Sequence, residues 1–173
     1  GDARAACYDE NGNMTFRLEE GRAYAQKWDY DNRLSQVLSE GVTQTITVTV
    51  TYDGDGALVA RETPTDTVYY LGGYYEKNVT TGAATAYYYF GGRRVAMKAG
   101  SNVYFIMGDH LGTTSVVVDD SGTKVAESRH YPYGEVRWSS GTTLTEYRFA
   151  GQKLHETPGN LYQVCYTEAR TLV

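Results

Sequence analysis

Long apolar runs are missing from this chain of 173 residues. No stretch approaches the roughly 18 apolar residues that suggest a membrane-spanning helix. Cysteine is scarce, with only Cys7 and Cys165 near opposite ends. Two cysteines make no disulfide framework; they leave either one long-range bridge or two free thiols. Basic clusters are missing too. No Lys/Arg run is longer than Arg93-Arg94, and the formal net charge is -5, which argues against a nucleic-acid partner. The first residues, Gly1-Asp2-Ala3-Arg4-Ala5-Ala6, do not read as a signal peptide. Leu, Ile, Val and Phe number 10, 2, 16 and 4, a share of about 18%, which in a highly charged chain accompanies disorder. Here the charge is low, and 17 Tyr and 2 Trp supply apolar area instead. The expected core is aromatic and partly polar, with tyrosine hydroxyls at its rim.

What is abundant points to strands. Thr (21), Val (16) and Tyr (17) favour extended backbone, 19 glycines supply turns and only three prolines interrupt. The composition predicts an all-β fold of repeated antiparallel hairpins. The clearest strand spans Thr43 to Tyr52, where Ile46, Val48, Val50 and Tyr52 alternate with four threonines. It runs into the turn Asp53-Gly54-Asp55-Gly56 and returns at Leu58.

A repeat organises the first third. Tyr8-Asp9, Tyr30-Asp31 and Tyr52-Asp53 recur at a step of 22 residues. Turn residues follow each pair, Gly12 and Gly56 among them, and then an apolar side chain: Met14, Leu34 or Leu58. A fixed step of this length means one small unit stacked on the next. Trp28 to Arg33 belongs to this repeat, so a helix over Gln26 to Leu38 is not expected.

The organisation then changes. Residues 1–62 hold the Tyr-Asp units. Residues 63–100 hold two Gly-Gly hairpins, Tyr69–Lys77 and Tyr88–Ala96. Residues 101–157 carry strands expected at Val103–Met107, Thr113–Val118 and Lys124–Tyr131, then Val136–Trp138 and Glu146–Phe149 flanking a loop at Ser139-Ser140-Gly141. Residues 158–173 form a divergent tail.

The Tyr-Asp units resemble YD repeats, the repeats of Rhs proteins, of the C component of bacterial toxin complexes and of teneurins. The later segment resembles the Rhs-associated core. The matching stretches are Gly108-Asp109-His110-Leu111-Gly112-Thr113-Thr114, Tyr131-Pro132-Tyr133-Gly134-Glu135 and Tyr147-Arg148-Phe149-Ala150-Gly151-Gln152. The resemblance implies a wall segment of a hollow β-shell that encloses a toxin or displays a surface. It also implies a secreted or cell-surface location in bacteria. Toxin-bearing members usually end in an aspartyl autoprotease that releases the toxin. No Asp occurs here after Asp120, and a paired-carboxylate mechanism needs two such side chains. No self-cleavage, no enzymatic activity and no cofactor are expected.

Other tempting sites have plainer readings. Asp109-His110 is read as part of a turn, since adjacent strand residues face opposite ways. His130 and His155 show no zinc spacing. Asp53-Gly54-Asp55-Gly56 and Asp119-Asp120 lack the remaining ligands of a calcium loop. Asn78-Val79-Thr80 fits a glycosylation sequon, meaningful only in a eukaryotic secretory route. The tyrosines at 69–75 and 87–89 suit cross-strand pairing or, alternatively, a carbohydrate-binding face. Unpaired sheet edges are expected to recruit another copy or another polypeptide.

Overall fold

The structure is a computed structural model that describes residues 5–19, 21–40, 45–132, 134–142, 144–155 and 161–163. The first seven strands are β1 (Ala5–Tyr8), β2 (Met14–Glu19), β3 (Arg22–Trp28), β4 (Leu34–Glu40), β5 (Thr45–Tyr52), β6 (Leu58–Glu62) and β7 (Thr67–Leu71). Seven more follow: β8 (Tyr75–Asn78), β9 (Ala84–Phe90), β10 (Arg93–Ala99), β11 (Asn102–Gly108), β12 (Thr114–Asp119), β13 (Lys124–His130) and β14 (Val136–Gly141). They form one 14-stranded antiparallel sheet in strict chain order. The fold is all-β, and its helical content among the described residues is one 3₁₀ turn, Phe149–Gly151.

Strand chemistry explains which face is covered. Val48 and Val50 of β5 are buried while the threonine between them is not. Tyr24, Val37, Val48, Val50, Leu58, Val68 and Tyr70 make one core cluster. Tyr87, Met97, Ile106, Val117 and Ala126 make a second. Together they line one face, here called inner. Arg17 is also buried there, 4.9 Å over the Tyr24 ring, so the inner face is apolar and cationic by turns.

One turn geometry recurs at Asp9, Asp29, Asp53, Asp109 and Asp119. In the first, the Asp9 amide donates to the Asn13 carbonyl at 2.9 Å and the Gly12 amide to the Asp9 carbonyl at 3.1 Å. The Asp9 carboxylate accepts the amides of Asn11 (3.0 Å) and Asn13 (2.8 Å). Asp29 and Asp53 repeat this pattern with Asp31 and Arg33, and with Asp55 and Ala57. The fourth residue is left-handed each time: Gly12, Asn32 and Gly56 have φ of 83°, 58° and 83°.

This corrects the 22-residue register. Tyr30 and Asp31 sit at the tip of the second turn, with Tyr30 wholly exposed, and Asp29 takes the place of Asp9 and Asp53. The true steps are 20 (29 − 9) and 24 (53 − 29). The aromatic residue of the second unit is therefore Trp28. Two strand expectations also shift. Ser139-Ser140-Gly141 belongs to β14, where Gly141 pairs with Ala126, so it is no loop. Glu146–Phe149 forms no strand; beyond a single bridge from Tyr147 to Lys153, its backbone bonds turn toward the 109–114 loop and its own 3₁₀ turn.

The turns are stitched sideways. The Trp28 ring N–H donates to the Met14 carbonyl at 2.7 Å, and the Tyr52 hydroxyl to the Leu34 carbonyl at 2.8 Å. Each acceptor lies five residues after the preceding turn aspartate. Asn13 adds a bond to Asn32 at 2.8 Å. Partial burial opposes the Asp29 charge, but the Arg33 and Asp31 amides and the Arg33 guanidinium outweigh it and hold its carboxyl below the usual range. That contribution is present above the ordinary carboxylate pKa and is lost as pH falls through the depressed one. Asp29→Ala is expected to cost roughly 1–2 kcal/mol in urea unfolding at pH 7, from its lost amide partners, and Asp31→Ala clearly less; equal losses would restore the 22-residue register.

Candidate functional site

The three core-like motifs converge on one structure. After β14 the chain turns back across the inner face as a strap, residues 144–153. The Asp109 turn grips it. The Asp109 carboxylate accepts the amides of Leu111 and Thr113, both at 2.9 Å. The Thr113 hydroxyl accepts the Ala150 amide at 3.1 Å. Thr114 gives its hydroxyl to the Tyr147 carbonyl at 2.8 Å and its amide to the Arg148 carbonyl at 3.1 Å. Both threonines are buried. Gly112 and Gly151 meet backbone to backbone: a Cβ on Gly112 would lie 3.8 Å from the Gly151 nitrogen, and both have positive φ. The space there admits a Cβ in ordinary contact, but the left-handed backbone at both places disfavours any other residue.

The other motif residues frame this clasp. His110 and Leu111 are exposed at the turn tip, while the Asp109 carboxylate is taken up by the turn amides. The turn from Tyr131 to Glu135 copies the Asp-turn backbone without an Asp: Tyr131 donates to Glu135 at 2.8 Å and Gly134 to Tyr131 at 3.0 Å. Tyr131 and Pro132 are exposed, and Gly134 is buried. The His130 ring lies 5.9 Å from that of Phe149, and burial with the Arg148 charge lowers its pKa. The Gln152 carbonyl closes the strap by accepting the Arg148 amide at 2.9 Å.

Beneath the strap lies a buried ionic cluster that sequence reading missed. Lys153 is 3% exposed. Its ammonium pairs with Glu76, lies 3.6 Å from the Glu146 carboxylate and sits 3.6 Å over the Tyr70 ring. Arg61 reaches Glu146 at 3.5 Å and Asp66 at 3.7 Å, and bonds the Tyr70 hydroxyl at 3.2 Å. The Tyr87 hydroxyl donates to Glu76 at 2.7 Å. Tyr147 meets Tyr87 edge-on at 5.0 Å, with the Arg94 guanidinium 3.3 Å from its centroid. Tyr147 thus lies between two cations, Arg94 and Lys153. The signal in the sequence was charge at inward strand positions, Arg61 in β6, Glu76 in β8 and Arg94 in β10.

Burial sets the electrostatics. It pushes the Tyr147 hydroxyl up to about 12, against the pull of Arg94, and raises Tyr70 and Tyr87 as well. It raises Glu146 despite Lys153 and Arg61, and lowers Lys153 despite Glu76 and Glu146. Glu146 is 37% exposed as a side chain, yet its Oε2 touches no solvent. A cleft of about 760 Å³ opens beside the cluster, lined by Arg61, Asp66, Glu76, Thr145, Glu146 and Arg148 among others. The Lys153 ammonium lies between the two glutamates.

The remaining expectations fall into place locally. Asp53 and Asp119 spend their carboxylates on turn amides. Asn78 accepts the Thr80 and Thr81 amides and donates to Asp66, so it shapes the turn after β8. Cys7 is an exposed free thiol, whereas Cys165 lies outside the described residues. Nothing is described for the side chain of His155.

Two outcomes test the cluster. Lys153→Met takes their shared cation from Glu76 and Glu146, leaving Glu146 only Arg61 and Glu76 only the Tyr87 hydroxyl, and is expected to cost about 3 kcal/mol, read by urea unfolding; a loss near zero would show a cluster of no structural weight. Glu146 has a raised pKa, so its contribution is complete below its ordinary pKa and is lost as pH rises through the folded one. Glu146→Gln should remove that decline from the pH profile of the unfolding midpoint.

Comparison with known proteins agrees with this architecture. No protein-family model and no curated protein matches the chain. Among solved structures, the Photorhabdus luminescens Tc holotoxin pore with a TccC3 variant matches at a TM-score of 0.61 and 16% identity. The TcdB2-TccC3-TEV crystal structure matches at 0.61 and 15%. Each match covers 87% of this chain and 11% of the other, so the chain spans about a ninth of their length. The chain therefore has the fold of these Rhs/YD-repeat toxin-complex proteins, as its Tyr-Asp units and core-like motifs implied.

Proposed function

We propose that this chain is a non-enzymatic structural segment of an Rhs-type β-shell, of the kind that encloses a toxin in secreted or cell-surface bacterial proteins. The observation that carries it is the strap. A sheet of 14 strands turns its own polypeptide back across its inner face and fixes it there with the clasp and the buried cations. Such a face is suited to holding extended chain. The carboxylates at hand are engaged by turn amides, arginines or Lys153. A carbohydrate-binding face is not favoured: Tyr70 and Tyr87 point inward, and Tyr89 spends its hydroxyl on Gly73 and Arg94. The partners of this wall are other polypeptides at its strand edges and, on the inner side, an enclosed toxin.

The test is the longer protein that carries this segment. Its structure should show residues 5–142 continuing a larger wall, with the strap entering an enclosed space. A free-standing module with no neighbouring strands would overturn the reading. Intact mass after long incubation between pH 4 and pH 8 should stay single; fragments formed without added protease would overturn the non-enzymatic part.

A further inference from the structure

The outer face of the middle strands is apolar where the wetted side of an antiparallel sheet is ordinarily polar. Tyr69 and Leu71 of β7 flank Tyr70, which belongs to the inner core. Tyr88 of β9, and Phe105 and Met107 of β11, alternate in the same way with the inward Tyr87 and Ile106. These five outward residues are 46% to 62% exposed. The ladders set them in rows. One runs Leu71, Tyr75, Ala86, Lys98 and Val103, each directly opposite the next. Another runs Tyr88, Ala96, Phe105 and Val118. A row across five strands is roughly 20 Å long. Exposed apolar surface on this scale marks a place of contact.

Cations stand within this strip. The outward residues of β8 to β13 include Lys77, Arg93, Lys98, Lys124 and Arg129. Against them stands one carboxylate, Glu127, which Lys124 and Arg129 already hold. The face is therefore positive, in a chain whose formal net charge is -5. Lys98 lies between Ala86 and Val103, and Lys77 between Tyr69 and Ala84. The strip occupies central strands, clear of both ends of the sheet, and it faces away from the strap.

We propose that this strip is a docking surface for an anionic lipid bilayer. Charge and composition select that occupant. A second copy stacked face to face would set cation against cation. Protein–protein interfaces are depleted in lysine, yet Lys77 and Lys98 sit among the apolar residues of the rows. Lysine mixed with aromatic and aliphatic side chains is instead the composition of surfaces that rest on anionic membranes. There the lysine stem lies along its apolar neighbours while the ammonium reaches lipid phosphate. Tyr69, Tyr75 and Tyr88 suit the same depth, with the ring at the acyl boundary and the hydroxyl among the headgroups. The proposal goes beyond the wall reading and does not depend on it, because this chain's own central strands build the strip.

The test is co-sedimentation of the chain with vesicles of equal parts phosphatidylcholine and phosphatidylserine, and with vesicles of phosphatidylcholine alone. The chain should bind the anionic vesicles more tightly than the neutral ones and be released as salt rises. Lys77→Gln combined with Lys98→Gln should weaken binding about thirtyfold, the weight of two cations at a membrane surface. Phe105→Ser should weaken it as well. Lys27→Gln removes an exposed cation of β3, five strands and roughly 24 Å from β8. It should leave binding unchanged, since that distance exceeds the screening length. Unchanged urea midpoints for the lysine variants keep folding out of the comparison. No binding to the anionic vesicles, equal binding to the neutral ones, or an equal loss from Lys27→Gln would overturn the assignment. Soluble polyglutamate that bound as tightly as the vesicles, through the same two lysines, would give the strip to an acidic polypeptide and overturn it too. Each of these failures leaves the wall reading standing, because that reading is tested by the strands flanking this segment.

Discussion

The sheet depends on how a five-residue turn satisfies its own amides. A hairpin that reverses between β-strands leaves inward-pointing N–H groups at its bend, and unpaired backbone donors are costly. The turn aspartate accepts two of them, and a left-handed fourth residue lets the strand leave in register. Once that bend is fixed, the residue before the aspartate and the residue five after it have set positions. The first becomes a donor aimed sideways, the second an acceptor one unit back. Order across the first units thus follows from chemistry at the Asp-turn end of their hairpins, with the apolar clusters adding burial on the inner face.

The same turn serves two purposes along the chain. In the first units it joins neighbours within the wall. At Asp109 it has a second client, because the threonines that follow it bind the strap. A structural turn becomes a clasp by changing the residues at its exit from Asn-Met or Arg-Leu to Thr-Thr. The buried ions then hold the strap from below. Isolated buried ion pairs add little net stability, since desolvation offsets attraction. Here they specify where the strap sits, because Lys153 has its carboxylate partners and two aromatic rings at one place on the face.

Much of the fold was legible in the sequence. Alternation in β5, the Gly-Gly hairpins and the turn residues place most strands, because period-2 patterns and left-handed turns leave local marks. The middle Tyr-Asp unit was misread because two such pairs, Trp28-Asp29 and Tyr30-Asp31, stand two residues apart, and only hydrogen bonding decides between them. The Glu146–Phe149 stretch looks like a strand but finds its partners in a turn more than 30 residues earlier. The motifs 108–114 and 147–152 were visible as words, yet nothing local says that they touch. The ionic cluster was hidden for the same reason: Arg61, Glu76, Glu146 and Lys153 lie far apart in the chain and meet only when the strap folds back.

The account rests on the bond from the aromatic donor of one turn to the carbonyl of the turn before it. Amide hydrogen exchange on Tyr52→Phe reads that bond directly, since only a hydroxyl is removed. The expected result is faster exchange across β4, with the stability of the whole sheet falling by about 1 kcal/mol and the Asp53 turn amides unchanged. Unaltered exchange in β4 together with unaltered stability would contradict the claim that the units are held in order by this sideways stitch.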